Sequence, residues 1–344
     1  MGIGIIGYGA YIPRYRIKAE EYTKAWGSFS APGVREKSVP GYDEDVITMA
    51  VEAAHNAINC AGIDPDSIGT LYLATSSGPY WEKSLSSTLL AALTGNEEVR
   101  TADFAGSTRA GTSAFLGCLD RIVAEGRGVG LVVASDIPLG HPDRGSEHPF
   151  GAGSAAYVIG EGDPIAILEG SYCVSIETLG ERFRRAGELY TRDLELRVNF
   201  MEQCLQKSIH GLLGALNLSP EKVDHLVLQQ PDGGKSVKAV GKFGFSDKAL
   251  GLGMIAAHTG DTGAASPMLS LAHVLDHAQG SDRIVVASYG SGSDAFSLLV
   301  EDGIVQRRAQ SPEVPTFKDY LEKKEYVNYV TYLKFKRYLS SFKG

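Results

Sequence analysis

Short apolar runs alternate along this chain with longer stretches whose apolar residues recur at helical spacing. Residues 2–7 (GIGIIG) read as a buried strand. Residues 44–61 (EDVITMAVEAAHNAINCA) repeat apolar positions with the helical period behind acidic residues suited to a helix start. A loop over 63–68 (IDPDSI) leads into a strand over 70–75 (TLYLAT), and a helix follows over 86–93. Residues 108–124 (TRAGTSAFLGCLDRIVA) predict a helix that starts on small residues. Strands are expected at 130–134, 155–159 and 165–169.

The second half repeats this order. A helix over 200–216 precedes the loop 218–223 (LSPEKV), which shares with 63–68 the form (Ile/Leu)-x-Pro-x-x-(Ile/Val). A strand at 225–228 follows, then a second small-residue helix at 264–278 (AASPMLSLAHVLDHA), then strands at 283–287 and 295–300. This is an internal duplication with a period near half the chain. It divides the chain into an N-terminal half, 1–170, and a C-terminal half, 171–344. Alternating strands and helices imply an α/β architecture with mixed sheets covered on both faces.

Composition narrows the function. The net charge of −8 excludes a whole-chain basic footprint for nucleic acid. Cys60, Cys118, Cys173 and Cys204 show no metal-type spacing, which predicts a reducing, cytoplasmic setting. No apolar run is long enough for a membrane span. Glycine accounts for 41 of 344 residues, well above the usual share of about 7%. The opening glycines invite a dinucleotide reading, but Pro13 interrupts before any long helix, so that reading is weak.

The element order resembles the thiolase superfamily, whose fold is a duplicated five-layer αβαβα arrangement with two mixed sheets. The segments GYDEDVITMAVEAAHNAI, IDPDSIGTLYLATSSGPY, HPFGAGSAAYVIG, ERFRRAGELY, GDTGAASPMLSLAHVLDHAQGSDRIVVASYGSGSDAF and KKEYVNYVTYLKFK are similar to HMG-CoA synthases of the archaeal type. That resemblance implies a homodimer paired through the N-terminal half. It also implies assembly with a thiolase and a DUF35-type zinc-ribbon/OB-fold protein. The implied chemistry is a Claisen condensation by a Cys nucleophile, a Glu acid/base and a His.

The motifs that should carry those groups hold other residues. Thr108 stands where the resemblance places the Cys, Ser76 where it places the Glu, and Gln229 where it places the His. Asp261 replaces the Asn of the family's Gly-Asn-Thr motif, and the loop through Gly290 and Ser291 is two residues short. Cys118 lies ten residues along the same helix, about 15 Å from its start, and reads as a buried apolar cysteine. The same substitutions resemble the non-catalytic, ketoacyl-synthase-III-like subunit of diacetylphloroglucinol acetyltransferase complexes.

The leading expectation is therefore a structural subunit of an acyl-CoA-dependent acyltransferase or condensing complex. The alternative is an active condensing or acyl-transfer enzyme using Ser107 or Thr108, with His258 as base. A third class is a module that holds acyl-CoA without reaction. The residual pocket is expected around Ser107, Thr108, Arg109, His258, Gly290 and Ser291, with no cofactor except acyl-CoA as a ligand. Ser107 and Thr108 also suit plain helix capping. His141, His148 and His258, with Asp143 and Glu147, match no metal-ligand spacing and read as loop or interface residues. Arg182, Arg184 and Arg185 suit either an acyl-CoA entrance or a solvated face. The tail combines Lys334, Lys336, Arg337 and Lys343 with Tyr332, Phe335, Tyr338 and Phe342, and reads as an interface packing on a partner subunit.

Overall fold

The glycine-rich opening segment forms β1 (Gly2–Tyr11) in the computed structural model of the chain, which describes residues 2–142, 144–194, 199–231, 233 and 243–339. Its glycines serve close packing. A Cβ on Gly7 would stand 2.5 Å from the main-chain nitrogen of Ala61, and one on Gly9 2.5 Å from that of Ala57. Both alanines belong to α2 (Val46–Ala61), whose inner face is built of small residues. An Asp45–Thr48 capping box starts α2, and Gly62 ends it in the left-handed conformation at φ 66°.

The N-terminal half contributes β4 (Ile68–Ala74), β5 (Arg100–Phe104), β6 (Val129–Asp136) and β7 (Gly153–Gly162). After these come β8 (Ala166–Ser175), which runs across the expected boundary at 170/171, then β9 (His225–Leu228), β10 (Arg283–Ala287) and β11 (Gly292–Val300) of the second half. The strand order is β5-β4-β6-β7-β1-β8-β11-β10-β9. In the first half β4 runs parallel to β6, and β6 antiparallel to β7. In the second half β9 runs parallel to β10, and β10 antiparallel to β11. The repeat expected from the sequence is thus a repeat of pairing sense as well as order. The two loops of the (Ile/Leu)-x-Pro-x-x-(Ile/Val) form become matching single 3₁₀ turns, Pro65–Ser67 and Pro220–Lys222, ahead of β4 and β9. The two mixed sheets touch at one register pair, Ile5 with Ala166, and so form a single nine-stranded run.

Alternation along the strands divides the core into layers. On β4 and β6, Leu71, Leu73, Leu131 and Val133 face α2 and α3 (Leu85–Leu93). Tyr72, Ala74, Val132 and Ala134 face the opposite way, into a cluster with α4 (Ala110–Glu125). The same cluster holds Val227, Ile284, Val286, Phe296 and Leu298 from the other half. The outer face of that half packs on α5 (Phe200–Ala215). The central layer contains α4 and a helix we call α6 (Ser266–Leu275). Gly111 lets them approach, since a Cβ there would lie 2.3 Å from the carbonyl oxygen of Ala264. Phe115 of α4 bridges the halves, stacked on Phe296 and edge-on to Tyr157.

The C-terminal tail departs from expectation. Its aromatics pack on this chain. Tyr329 and Tyr332 are buried with Tyr22, Ile17 and Val39 against a small sheet of β2 (Tyr15–Lys18), β3 (Glu36–Val39) and β12 (Glu325–Tyr326). Tyr22 alone is ringed by Phe29, Tyr329 and Tyr332. Lys336 is buried too and donates to the carbonyl of Pro138. Burial and the neighbouring charge of Lys37 lower its pKa to about 7. Phe342 and Lys343 lie outside the described residues.

Candidate active site

The N-terminal end of α4 opens on a cavity of about 450 Å³. Ser107, Thr108, Gln229, Gly290 and Ser291 all line it. A second cavity of about 490 Å³ shares Ser107, Thr108 and Ser291 and adds Ser76. Residues singled out from four separate motifs are therefore brought around one connected region. Arg109 and His258 line neither cavity. The Arg109 guanidinium turns away, to Asp294 Oδ1 at 3.1 Å and the carbonyl of Val174 at 3.0 Å. The His258 imidazole faces Glu36, with Nδ1 3.8 Å from Oε1.

The two hydroxyls ahead of α4 are both donors. Ser107 Oγ donates to the carbonyl of Gly290 at 2.8 Å, and Thr108 Oγ1 to that of Tyr289 at 2.5 Å. Gly290 permits this contact, because a Cβ there would fall 2.4 Å from Ser107 Oγ and 2.5 Å from Thr108 Oγ1. The Ser107 hydroxyl also accepts from the Arg109 N–H at 3.3 Å. Arg109 is the N-cap of α4 and has no side-chain cap hydrogen bond, so the expected helix capping by Ser107 or Thr108 is not what these hydroxyls do.

Cysteine is absent from the walls of both cavities. Cys60, Cys118 and Cys204 are buried, and Cys173 is exposed on β8. Burial pushes the Cys118 thiol up to about 12, so it stays protonated. Ser76 is likewise engaged: its hydroxyl donates to Asp136 Oδ2 at 2.6 Å. Gln229 is 1% exposed and donates from Nε2 to the carbonyl of Gly263 at 2.9 Å. Its Oε1 is buried without a hydrogen-bond partner.

Asp261 is fully buried and does not line the cavity. It is covered by Arg182, whose Nη1 meets Oδ2 at 2.5 Å, while Oδ1 accepts from the N–H of Gly263 at 2.9 Å. The guanidinium also lies over the Phe150 ring, 4.7 Å from its centroid. Arg182, Arg184 and Arg185 all line the second cavity.

Glu181 is a site residue that the motif reading passed over. It lines both cavities and accepts a hydrogen bond from the Tyr289 hydroxyl. Burial, with a smaller push from Asp193, raises its pKa to about 7. The signal in sequence was its place directly ahead of the arginine segment. Asp136 was also missed. It is fully buried and gathers Thr75, Ser76, Ser77 and the N–H of Ala264, the last at 2.7 Å.

The histidines occupy ordinary packing positions. His148 accepts from the N–H of Ser30 at 2.8 Å and stacks on Phe29, and burial lowers its pKa to about 4. His141 sits edge-on to Tyr190, and Glu147 pairs with Lys37 at 2.9 Å. Asp143 lies outside the described residues. Among the described residues no three candidate metal ligands converge.

No family model matches the chain. Whole-length relatives decide the family. A hydroxymethylglutaryl-CoA synthase of Methanopyrus kandleri is 37% identical over 347 residues, covering 98% of both chains. One of Methanothermobacter thermautotrophicus is 36% identical over 343 residues, covering 97% of this chain and 98% of the relative. The chain belongs to the hydroxymethylglutaryl-CoA synthase family. Solved structures give the same fold at low identity. MvaS in complex with 3-hydroxy-3-methylglutaryl coenzyme A matches with a TM-score of 0.81 and 20% identity, covering 97% of this chain and 91% of that one. The curacin-pathway HMG synthase in complex with acetyl donor-ACP matches with a TM-score of 0.84 and 20% identity, covering 97% and 88%. The architecture is therefore the α/β thiolase-type fold of HMG-CoA synthases.

Proposed function

We propose that this family member lacks the Claisen groups and serves as a non-catalytic assembly subunit of a thiolase-containing, acyl-CoA-dependent acyltransferase or condensing complex. One observation carries the reading. The hydroxyls of Ser107 and Thr108, at the expected nucleophile position, donate to the main-chain carbonyls of Gly290 and Tyr289. A serine or threonine becomes a nucleophile when a base takes its proton. The proton here is committed to a carbonyl, and His258 stands against Glu36. Ser76 and Gln229 have no group that exchanges a proton near neutral pH. The packed core survives these replacements because it does not depend on the reacting groups.

On this reading the chain is a homodimer bound to a thiolase-type catalytic subunit and a DUF35-type zinc-ribbon/OB-fold subunit. The test is affinity purification of the tagged chain from its native source. Co-elution of a thiolase-type subunit in fixed stoichiometry is expected. A chain that elutes alone as a homodimer contradicts the assembly role.

Glu181 favours a second reading, an active enzyme with an altered site. Its carboxyl lines the cavity and titrates near neutral pH, as an acid/base group requires. Transfer of an acyl group from CoA by the purified chain alone, abolished by Glu181→Gln, would favour that reading over the first.

A further inference from the structure

We propose that Arg182 determines the depth of the cavity, and with it the size of acyl group the cavity admits. The inference rests on reading the cavity as an acyl-thioester chamber. Arg182 is the residue that both lines the cavity and covers Asp261, which is fully buried behind it. The guanidinium is fixed on two sides, by the Asp261 carboxylate and by the Phe150 ring. Gln229 and Phe150 line the same cavity.

Two polar atoms among these residues are buried without partners, Arg182 Nη2 and Gln229 Oε1. Asp261 holds Arg182 in place although one guanidinium nitrogen goes unsatisfied. The backbone supports the same arrangement at a cost. Leu179 and Arg182 adopt left-handed φ values of 47° and 37°, with Gly180 between them at 96°. Side chains with a Cβ rarely accept that conformation, so the segment is held over Asp261 and Phe150 by its contacts.

The pair must be replaced together to open the chamber, because removing Arg182 alone leaves a buried carboxylate without its cation. The measurement is calorimetric binding of a series of saturated acyl-CoA thioesters, from acetyl to octanoyl, to the full chain. Wild type should gain nothing from lengthening the acyl group. The R182A/D261N variant should gain affinity by about fourfold for each methylene newly buried. The R182Q/D261N variant keeps a hydrogen-bonding pair, removes less volume and should fall between them. It also carries the test if the alanine variant does not fold. A wild type that gains with chain length as the variants do overturns the proposal. So does a flat profile in all three proteins, or no binding by any of them. Binding is read without any covalent step, so a covalent acyl adduct on the wild type would sink the non-catalytic reading and leave this result standing.

Discussion

The two central helices begin in similar ways and end in different situations. Both α4 and α6 start on small residues, at matching points of the duplicated halves. At α6 the preceding turn is anchored by carboxylates: Asp136 accepts from the N–H of Ala264 and Asp261 from that of Gly263. At α4 the corresponding approach holds hydroxyls, and those donate away from the helix to the loop at 289–290. One helix start is locked into the core by buried charge. The other faces a cavity. The difference teaches that duplication repeats the scaffold, while the polar residues ahead of each helix decide whether its end is structural or presented to a ligand.

The largest test of this contrast falls on the locked end. Asp136→Ala removes the shared acceptor of Thr75, Ser76, Ser77 and Ala264, and should cost about 3–5 kcal/mol in a denaturant titration. A cost near zero would mean that the α6 start needs no anchor. At the open end, Gly290→Ala forces a Cβ onto Ser107 and Thr108, and should cost about 1–3 kcal/mol. It should also alter binding at the cavity, which Asp136→Asn would leave less affected. Smaller again, Thr108→Val loses one hydrogen bond to the Tyr289 carbonyl. We expect about 0.5–1.5 kcal/mol, measured the same way.

Glu181 provides a test by pH. Its folded pKa, about 7, lies above the ordinary carboxylate value of 4.5. The folded state therefore holds the proton more tightly than the unfolded state. The sign follows: stability associated with the protonated carboxyl is full below pH 4.5 and is lost as pH rises to about 7. Glu181→Gln should match wild type at pH 4 and be the more stable protein at pH 8. Because the group is partly solvated, the difference is expected to be small. Equal pH profiles for the two proteins would remove the basis for a neutral-range carboxyl in the cavity.

Much of the scaffold was legible along the chain. Strand alternation and the repeated (Ile/Leu)-x-Pro-x-x-(Ile/Val) loop depend on local spacing, so β4, β9, β10 and both central helices could be placed from it. The tail was not legible, because its aromatics find Tyr22 and β2, some three hundred residues away in sequence. Within the site, the motif residues Ser107, Thr108, Gln229 and Gly290 do converge. Arg109 and His258 do not, since neighbours remote in sequence, Asp294 and Glu36, hold their side chains elsewhere. Glu181 and Asp136 escaped notice for the same reason. Their environments are made by burial and by partners from other elements, and the one mark along the chain is the place of Glu181 directly ahead of Arg182.

The most direct measurement is exposure of the purified wild-type chain to radiolabelled acetyl-CoA, followed by denaturation and counting of protein-bound label. The account predicts no label above that of unfolded protein, because no thiolate lines the cavity and both hydroxyls at the α4 start are engaged. A stable acyl adduct on Ser107 or Thr108 would contradict it.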